Sequence, residues 1–329
     1  MDSEKVSIAQ VSGISVGHWT NAEAAKGCTV VLCPEGAVAS VDQRGGAPAT
    51  RETDLLRMGN LVDRVHAIVL SGGSAYGLDV ATGVMRWLEE HGHGYPVTTG
   101  VVPIVPAACI YDLGIGDGNA RPGADAGYAA CDSATTGAIA EGSVGAGAGA
   151  TIGKALGMER AIKGGVGTAA EVTASGIMIG ALVVVNCWGE VVDPQTGRLV
   201  AGPRGERQGT YVSSIDVLRE KPPLSPFAAQ NSTIGVVATD AVLTKEGAYR
   251  LAVIAQTGLA RTIRPVHTPV DGDVIFALAT GQNDTVTDVL QLGALAALAV
   301  ERACIHAVQT AGGAAGLPSA ADWAGSLRP

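Results

Sequence analysis

The sequence predicts a layered fold of mixed strands and helices, of the α/β or α+β class. Short apolar runs bounded by glycine or polar residues are typical of buried strands; they lie at 29–32, 67–70, 177–186, 233–239 and 274–279. Longer segments with apolar residues at helical spacing lie at 75–90, 245–262 and 284–309. Strands interspersed with long amphipathic helices pack as layers around a shared core.

The composition supports a large core built with small side chains. Apolar residues make up 47% of the 329 residues and charged residues only 16%, which excludes a disordered chain. Glycine accounts for 46 residues, about twice its usual share of roughly 7%. We therefore expect close approach between packed elements.

Charge and apolar patterning argue against nucleic-acid and membrane partners. The net charge is −9 and no basic patch is visible. The first five residues lack the apolar core of a signal peptide, and the apolar stretch 286–300 is short for a bilayer span and carries polar residues. We expect a soluble cytoplasmic protein. Its scattered cysteines should be buried free thiols: Cys28, Cys33, Cys109, Cys131, Cys187 and Cys304.

Two segments interrupt the pattern of strands and helices. Residues 137–167 are dominated by Gly, Ala, Ser and Thr, whereas 193–230 is polar and proline-rich, which predicts a surface excursion or linker. This second segment ends at 231–234, where a buried strand begins. Such a junction is a suitable place to cut the chain without unfolding it.

Ser232 stands at that junction and is a candidate nucleophile. The Gly-x-Ser-x-Gly elbow of many serine hydrolases is absent. A serine at a chain terminus can instead use its own α-amine as the base, because the pKa of that amine is about 7.7–8.0. The tripeptide Asn231-Ser232-Thr233 taken alone also fits a glycosylation sequon or an ordinary strand start.

Asp271 and Asp273 flank Gly272 just before the last apolar run. One carboxylate would orient the nucleophile while the other binds a substrate amine. The competing interpretation is a solvated turn, in which Asp and Gly are common. We expect no metal, because Asp-Gly-Asp supplies too few ligands for calcium.

Three further polar residues have both a structural and a chemical interpretation. Lys154 follows a sequence that superficially resembles a phosphate loop but lacks its first glycine and its Ser/Thr, so nucleotide binding is discounted. Lys154 and Lys163 are either functional or solvated surface charges. Asn186 ends an apolar run, where its amide would either donate to an oxyanion or cap a turn. Glycines at 71–77 allow close approach to a ligand or a neighbouring strand.

Taken together, the order and spacing of several blocks resemble the DmpA-like L-aminopeptidase/D-esterase family, which includes β-peptidyl aminopeptidases and the nylon-oligomer hydrolase. The resemblance covers nearly the whole chain. The blocks are GISVGH (13–18), VDQRGGAP (41–48), SGGSAYG (71–77), VPIVP (102–106), KGGVGTA (163–169), NSTI (231–234), VATDA (237–241) and RPVHTPVDGD (264–273).

The resemblance implies an α+β fold, an αββα sandwich of the DmpA/ornithine-acetyltransferase type, formed as one domain (1–329) from a self-cleaving precursor. The implied cut between Asn231 and Ser232 gives an α chain, 1–231, and a β chain, 232–329. Such αβ units assemble further in the family, often as tetramers. No cofactor is implied.

The resemblance also implies residue roles. Ser232 matches the nucleophile and Lys154 the active-site lysine of the nylon-hydrolase branch, although Lys163 also lies in a family block. Asn186 matches an oxyanion or positioning amide, and Tyr76 resembles a substrate-pocket residue. Asp271 and Asp273 match carboxylates near the nucleophile.

The expected activity is hydrolysis of amide bonds in small peptides or amino-acid amides through an acyl-enzyme. Alternatives are an endohydrolase of ω-amino-acid oligomers, for which an Asn before the cut is typical, and an acyltransferase like the ornithine acetyltransferases. A metal- or His-dependent hydrolase and a non-catalytic binding protein on the same fold also remain open.

Overall fold

The computed structural model describes residues 6–220 and 231–325. Its strands are β1 (Ser15–Asn21), β2 (Lys26–Gln43), β3 (Ala49–Arg51), β4 (Arg64–Ser71), β5 (Tyr95–Val97), β6 (Gly100–Val102), β7 (Ala107–Cys109), β8 (Thr151–Ile152), β9 (Ile162–Lys163), β10 (Gly165–Val172), β11 (Met178–Asn186), β12 (Glu190–Val192), β13 (Leu199–Ala201), β14 (Ser232–Ala241), β15 (Ile263–Arg264) and β16 (Val274–Asn283). Its α-helices are α1 (Val80–Glu90), α2 (Ala124–Asp132), α3 (Ser214–Glu220), α4 (Lys245–Thr262), α5 (Val289–Gln309) and α6 (Ala320–Ala324).

One long sheet carries most of the fold, in the order β10-β11-β14-β16-β2-β4-β7-β3, with β1 paired to β2. The first half of β2 pairs with β1 and β4, whereas its second half pairs with β16. The register with β4 shifts between Leu32 and Ala37. Irregularities of this kind bend and twist a strand, so β2 links two halves of the sheet.

The buried residues show that these two halves form separate layers. Val31 and Ile68 from one half share a core with Val184, Val236 and Phe276 from the other, so this core lies between two β layers. The opposite face of one layer packs against α4 and α5, and that of the other against α1 and α2. The predicted αββα sandwich is therefore confirmed.

The three predicted helical segments are present, but two of the α-helices begin later than predicted. Helix α4 matches the prediction, and the Thr244 side chain caps it by accepting a hydrogen bond from Gly247 N. The segment predicted as 75–90 begins as a 3-10 helix, Ser74–Asp79, before α1. Helix α5 begins at Val289 rather than at 284, because Asp288 caps it there.

The segment 193–230 is more ordered than the sequence suggested. It contains β13, which pairs with β12, and helix α3. Ala201 and Ser214 are buried, so the prediction of a surface excursion is wrong for this part. Residues 221–230 lie outside the described residues.

Helix α5 is the one helix in the described ranges that is long and apolar enough to cross a membrane. Half of its most apolar window is buried inside the fold. Ala303 and Ala307 are fully buried, and α5 packs on β10, β11 and α4. The packing of α5 is that of a core helix.

The cysteines all fall in the described part of the chain, and each is buried with a free thiol, as predicted. Burial raises the pKa of Cys33 and Cys304 to about 12. These thiols are therefore neutral at physiological pH and are poor nucleophiles.

Glycine permits the tight packing of α5 on the sheet. A Cβ atom added to Gly167 in β10 would lie 2.2 Å from the Ala303 carbonyl oxygen and 2.4 Å from Ala307 N. Both neighbours are helix backbone, which cannot move aside as a side chain can. The observed spacing between β10 and α5 thus requires glycine at this position.

Gly167→Ala should therefore destabilise the protein by about 1–3 kcal/mol, because α5 must shift to admit the methyl group. Thermal or urea unfolding followed by circular dichroism measures the effect. Gly312→Ala is the matched control, since its added Cβ meets nothing within 4 Å. Equal unfolding midpoints for the two variants would contradict the packing argument.

Candidate active site

Ser232 is the first residue of β14 and is buried. Its hydroxyl donates a hydrogen bond to the carbonyl oxygen of Asn231, with 2.5 Å between the two oxygens. Asn231 is buried as well and forms a parallel bridge with Asp271. The hydroxyl therefore lies against the peptide group that joins residues 231 and 232.

Asn186 lies opposite Ser232 at the end of β11, in antiparallel register. Directly opposed residues on neighbouring strands project from the same face of a sheet, so the two side chains are neighbours. The Asn186 Oδ1 atom accepts hydrogen bonds from Thr151 N at 3.0 Å and Lys154 Nζ at 2.9 Å. Its Nδ2 atom donates to the Tyr111 carbonyl oxygen at 3.2 Å. These partners fix the orientation of the amide.

Lys154 contacts this amide and lies near Asp271. Its Nζ atom also donates to the Asn186 carbonyl oxygen at 3.3 Å. Burial lowers the pKa of Lys154 to about 8, although the nearby Cys187 and Asp271 act to raise it. The lysine is partly buried rather than a solvated surface charge.

Lys163 is fully buried in a different place. Its Nζ atom donates to the carbonyl oxygens of Ala148 at 2.7 Å and Ala150 at 2.8 Å. Burial lowers its pKa to about 7. Lys163 therefore ties down the Gly-rich segment that leads to Thr151 and Lys154, and the contact to Asn186 belongs to Lys154.

Asp271 and Asp273 are both buried, so the alternative of a solvated turn is wrong. Asp273 Oδ1 accepts from Thr233 N at 2.6 Å, and its Oδ2 accepts from His267 N at 2.8 Å. Asp271 Oδ2 accepts from both Thr268 N and Thr268 Oγ1, at 3.0 and 2.5 Å. Asp271 Oδ1 is buried and has no hydrogen-bond partner within residues 6–220 and 231–325.

The two carboxylates influence each other's protonation. Burial raises the pKa of both, and the negative charge of Asp271 adds to the effect on Asp273, whose pKa is raised to about 7. Two neighbouring buried carboxylates resist holding two negative charges. The pair is therefore able to exchange a proton near neutral pH.

A cavity of about 70 Å³ lies beside Lys154 and is lined by Tyr111, Thr151 and Met158, among others. A larger cavity of about 450 Å³, lined by Gln43, Thr50 and Tyr249 among others, includes none of the candidate side chains. We therefore associate the smaller cavity with the site. Sequence reasoning missed Tyr111 and Thr151, because they act partly through backbone atoms that carry no sequence signal.

Within the described residues, no contact joins Tyr76 to Ser232. Its ring is 60% exposed and lies 3.9 Å from the guanidinium carbon of Arg121. In the preceding glycine turn, Gly73 N donates a hydrogen bond to Asp112 Oδ1 at 2.7 Å. The role of Tyr76 in substrate binding stays a prediction.

Comparison with known proteins finds matches over nearly the whole chain. The model of Peptidase family S58 matches residues 6–320. An uncharacterized aminopeptidase of Mycobacterium tuberculosis (strain ATCC 25618 / H37Rv) is 46% identical, over 96% of this chain and 97% of its own. The 6-aminohexanoate-oligomer endohydrolase of Paenarthrobacter ureafaciens is 31% identical, over 84% of this chain and 75% of its own.

Solved structures show the same fold. A Burkholderia sp. beta-aminopeptidase has a TM-score of 0.64 and 25% identity, covering 93% of this chain and 87% of its own. The L-aminopeptidase D-Ala-esterase/amidase from Ochrobactrum anthropi, described as a variant of the Ntn hydrolase fold, has a TM-score of 0.68 and 21% identity, covering 94% and 88%.

These matches span nearly the whole chain and confirm the resemblance drawn from the sequence blocks, together with the fold and the hydrolase class that it implied. The chain belongs to peptidase family S58.

Proposed function

We propose that the chain cuts its own Asn231–Ser232 bond and that Ser232 then hydrolyses amide bonds in small peptides or amino-acid amides. The observation that carries the proposal is the contact between the Ser232 hydroxyl and the Asn231 carbonyl group at the first residue of a buried strand. Attack on this carbonyl needs only rotation of the side chain, because both groups are already adjacent.

The cut would leave one domain, 1–329, as an α chain of residues 1–231 and a β chain of residues 232–329. Strand β14 of the β chain pairs with β11 of the α chain, and β16 pairs with β2. The two chains therefore share one sheet, which supports their staying associated after the cut. We further propose that these αβ units form a cytoplasmic homo-oligomer, such as a tetramer.

The cut would also create the base for turnover. The new α-amine of Ser232 has an ordinary pKa of about 7.7–8.0, so a large fraction is neutral near pH 7.5. It is attached to the same residue as the hydroxyl and so has a high effective concentration. Ser232 would attack a substrate amide, form an acyl-enzyme and release it to water.

Four side chains support this chemistry from fixed positions. Asn186 lies opposite the nucleophile and Lys154 is bonded to the Asn186 amide, and both would stabilise the oxyanion of the substrate. Asp273 holds the N–H of Thr233, the residue after the nucleophile. Asp271 Oδ1, an acceptor with no partner in the described part of the chain, would receive an amine.

The relatives suggest two substrate classes. Names among them include aminopeptidase and 6-aminohexanoate-oligomer endohydrolase. The higher identity to the first group, 46% against 31%, favours peptides and amides with a free amino end. Oligomers of ω-amino acids are the second candidate, and rates on aminoacyl amides and 6-aminohexanoate oligomers measured side by side would separate the two.

Intact-mass spectrometry of the denatured protein tests the self-cleavage. Wild type should give two fragments, of 231 and 98 residues (329 − 231). Ser232→Ala should remain one folded, inactive chain, whereas Ser232→Thr keeps a hydroxyl and should still be cut. Ser213→Ala is the control and should be cut like wild type. Efficient cleavage of Ser232→Ala would reject Ser232 as the nucleophile.

Lys154→Met should lower kcat/KM by about 10²–10³-fold, the cost of removing one group that stabilises an oxyanion. The hydrolysis rate of an aminoacyl amide is measured and divided by the fraction of the protein that has been cut. A variant that cuts itself more slowly is then not counted as less active for that reason alone. Lys163→Met is the comparison variant and should lose less activity, because the Lys163 amine bonds the carbonyl oxygens of Ala148 and Ala150 and acts on Lys154 only through that segment. A larger loss in Lys163→Met than in Lys154→Met would reverse the assignment of the two lysines.

Lys163 should also make stability depend on pH. Its pKa falls from 10.5 to about 7 on folding, so the unfolded chain binds more protons between these values. The stability of wild type relative to Lys163→Met should thus rise as the pH rises from about 7 to 10, and fall as the pH drops toward 7. Unfolding midpoints at several pH values measure this difference, and parallel curves would contradict it.

A further inference from the structure

The carbonyl oxygen of Asn231 has a second hydrogen-bond donor besides Ser232. The backbone N–H of Gly272 donates to it, with 2.9 Å between nitrogen and oxygen. The carbonyl that the proposed self-cleavage must attack is therefore polarised before the reaction begins.

We propose that the Gly272 N–H is the oxyanion donor for self-cleavage of the Asn231–Ser232 bond. The proposal rests on the proposed function, since it names the group that assists that cut. A donor 2.7–3.1 Å from a developing oxyanion strengthens its hydrogen bond as negative charge accumulates. The observed distance lies in that range.

The two aspartates hold this N–H in place. The Asp271 carboxylate binds the backbone and hydroxyl of Thr268, within the same turn. The Asp273 carboxylate binds His267 N on one side and Thr233 N on the other. The turn carrying Gly272 is thus fixed to the strand that begins with the nucleophile, so the donor needs little reorganisation during the reaction.

The absence of a side chain at 272 is required for a separate reason. A Cβ atom there would lie 2.6 Å from Ser232 Oγ and 2.8 Å from the Ala47 carbonyl oxygen. The backbone of Gly272 is not in the left-handed region that favours glycine. Glycine is therefore needed at 272 to make room for the Ser232 hydroxyl. Its N–H then approaches the carbonyl oxygen of the peptide group that joins Asn231 and Ser232.

Self-cleavage needs only water and the groups that lie at this bond. Ser232 Oγ forms a bond to the Asn231 carbonyl carbon, and the carbonyl π electrons move onto the oxygen held by Gly272 N–H. The C–N bond then breaks, and the hydroxyl proton passes, in net terms, to the departing nitrogen. The product is an ester with a free α-amine on Ser232, and water hydrolyses that ester to the Asn231 carboxylate and the Ser232 hydroxyl.

Gly272 and Asn186 lie on opposite sides of β14. Strand β14 pairs with β11, which carries Asn186, on one side and with β16, which Gly272 precedes, on the other. The two donors therefore approach Ser232 from opposite neighbours. This assigns Gly272 to the carbonyl of the chain itself. It leaves Asn186, whose partners Thr151 and Lys154 line the smaller cavity, for the carbonyl of a substrate.

Replacing Gly272 by glycolic acid, which turns its peptide bond into a backbone ester, tests the proposal because it replaces the N–H by an oxygen and leaves every side chain in place. The ester also weakens the Asp271 carbonyl oxygen as the acceptor for Ala47 N. The rate of self-cleavage, followed by intact mass in freshly folded protein, should fall by about 10²–10³-fold. The same ester at the exposed Gly312 is the matched control and should be cut at the wild-type rate. Gly272→Ala keeps the N–H but displaces the hydroxyl, and it should remain folded and uncut.

The outcomes separate this inference from the function on which it rests. If wild type is cut and the ester at 272 is cut equally fast, the Gly272 N–H is an ordinary bond of the sheet and the inference is wrong. Cleavage of Gly272→Ala at the wild-type rate would overturn the steric requirement for glycine at 272, whereas the N–H donor itself is tested by the ester. If wild type itself is never cut, the proposed function fails, and the inference fails with it.

Discussion

The pairing of β14 with β11 on one side and with β16 on the other determines where every group of the site lies. Antiparallel register sets Asn186 opposite Ser232, and the parallel partner brings the Asp271–Asp273 turn to the same strand end. Because the layers above and below bury this ladder, the register cannot slip without exposing core residues. Groups far apart in sequence are thereby held together at one end of β14.

Much of this arrangement was predictable from the sequence, because it depends on apolar runs. The runs at 177–186 and 233–239 are long and β-rich, and they became β11 and β14. The position of Ser232 at a strand start followed from the change in composition around it. Family resemblance then selected Lys154 and the two aspartates, whose neighbourhood no local pattern could have shown.

The parts that the sequence did not reveal depend on backbone atoms and on burial. Tyr111 positions Asn186 through its carbonyl oxygen, and any residue type supplies that atom. Lys163 looked like a surface charge because lysine usually is one, yet it is fully buried against two carbonyl oxygens. The beginning of α5 was misplaced because Asp288, rather than the apolar pattern, decides where that helix starts.

The shared sheet has a consequence for how such a protein persists once it has been cut. An uncut chain folds in a unimolecular process, and β2, β14 and β16 find one another at any protein concentration. If the proposed cut occurs, the same strands belong to two molecules, so recovery from unfolding would be bimolecular and would depend on dilution. The mature form would then be maintained by slow unfolding rather than by reversible equilibrium, and maturation would act as a one-way step in the life of the molecule.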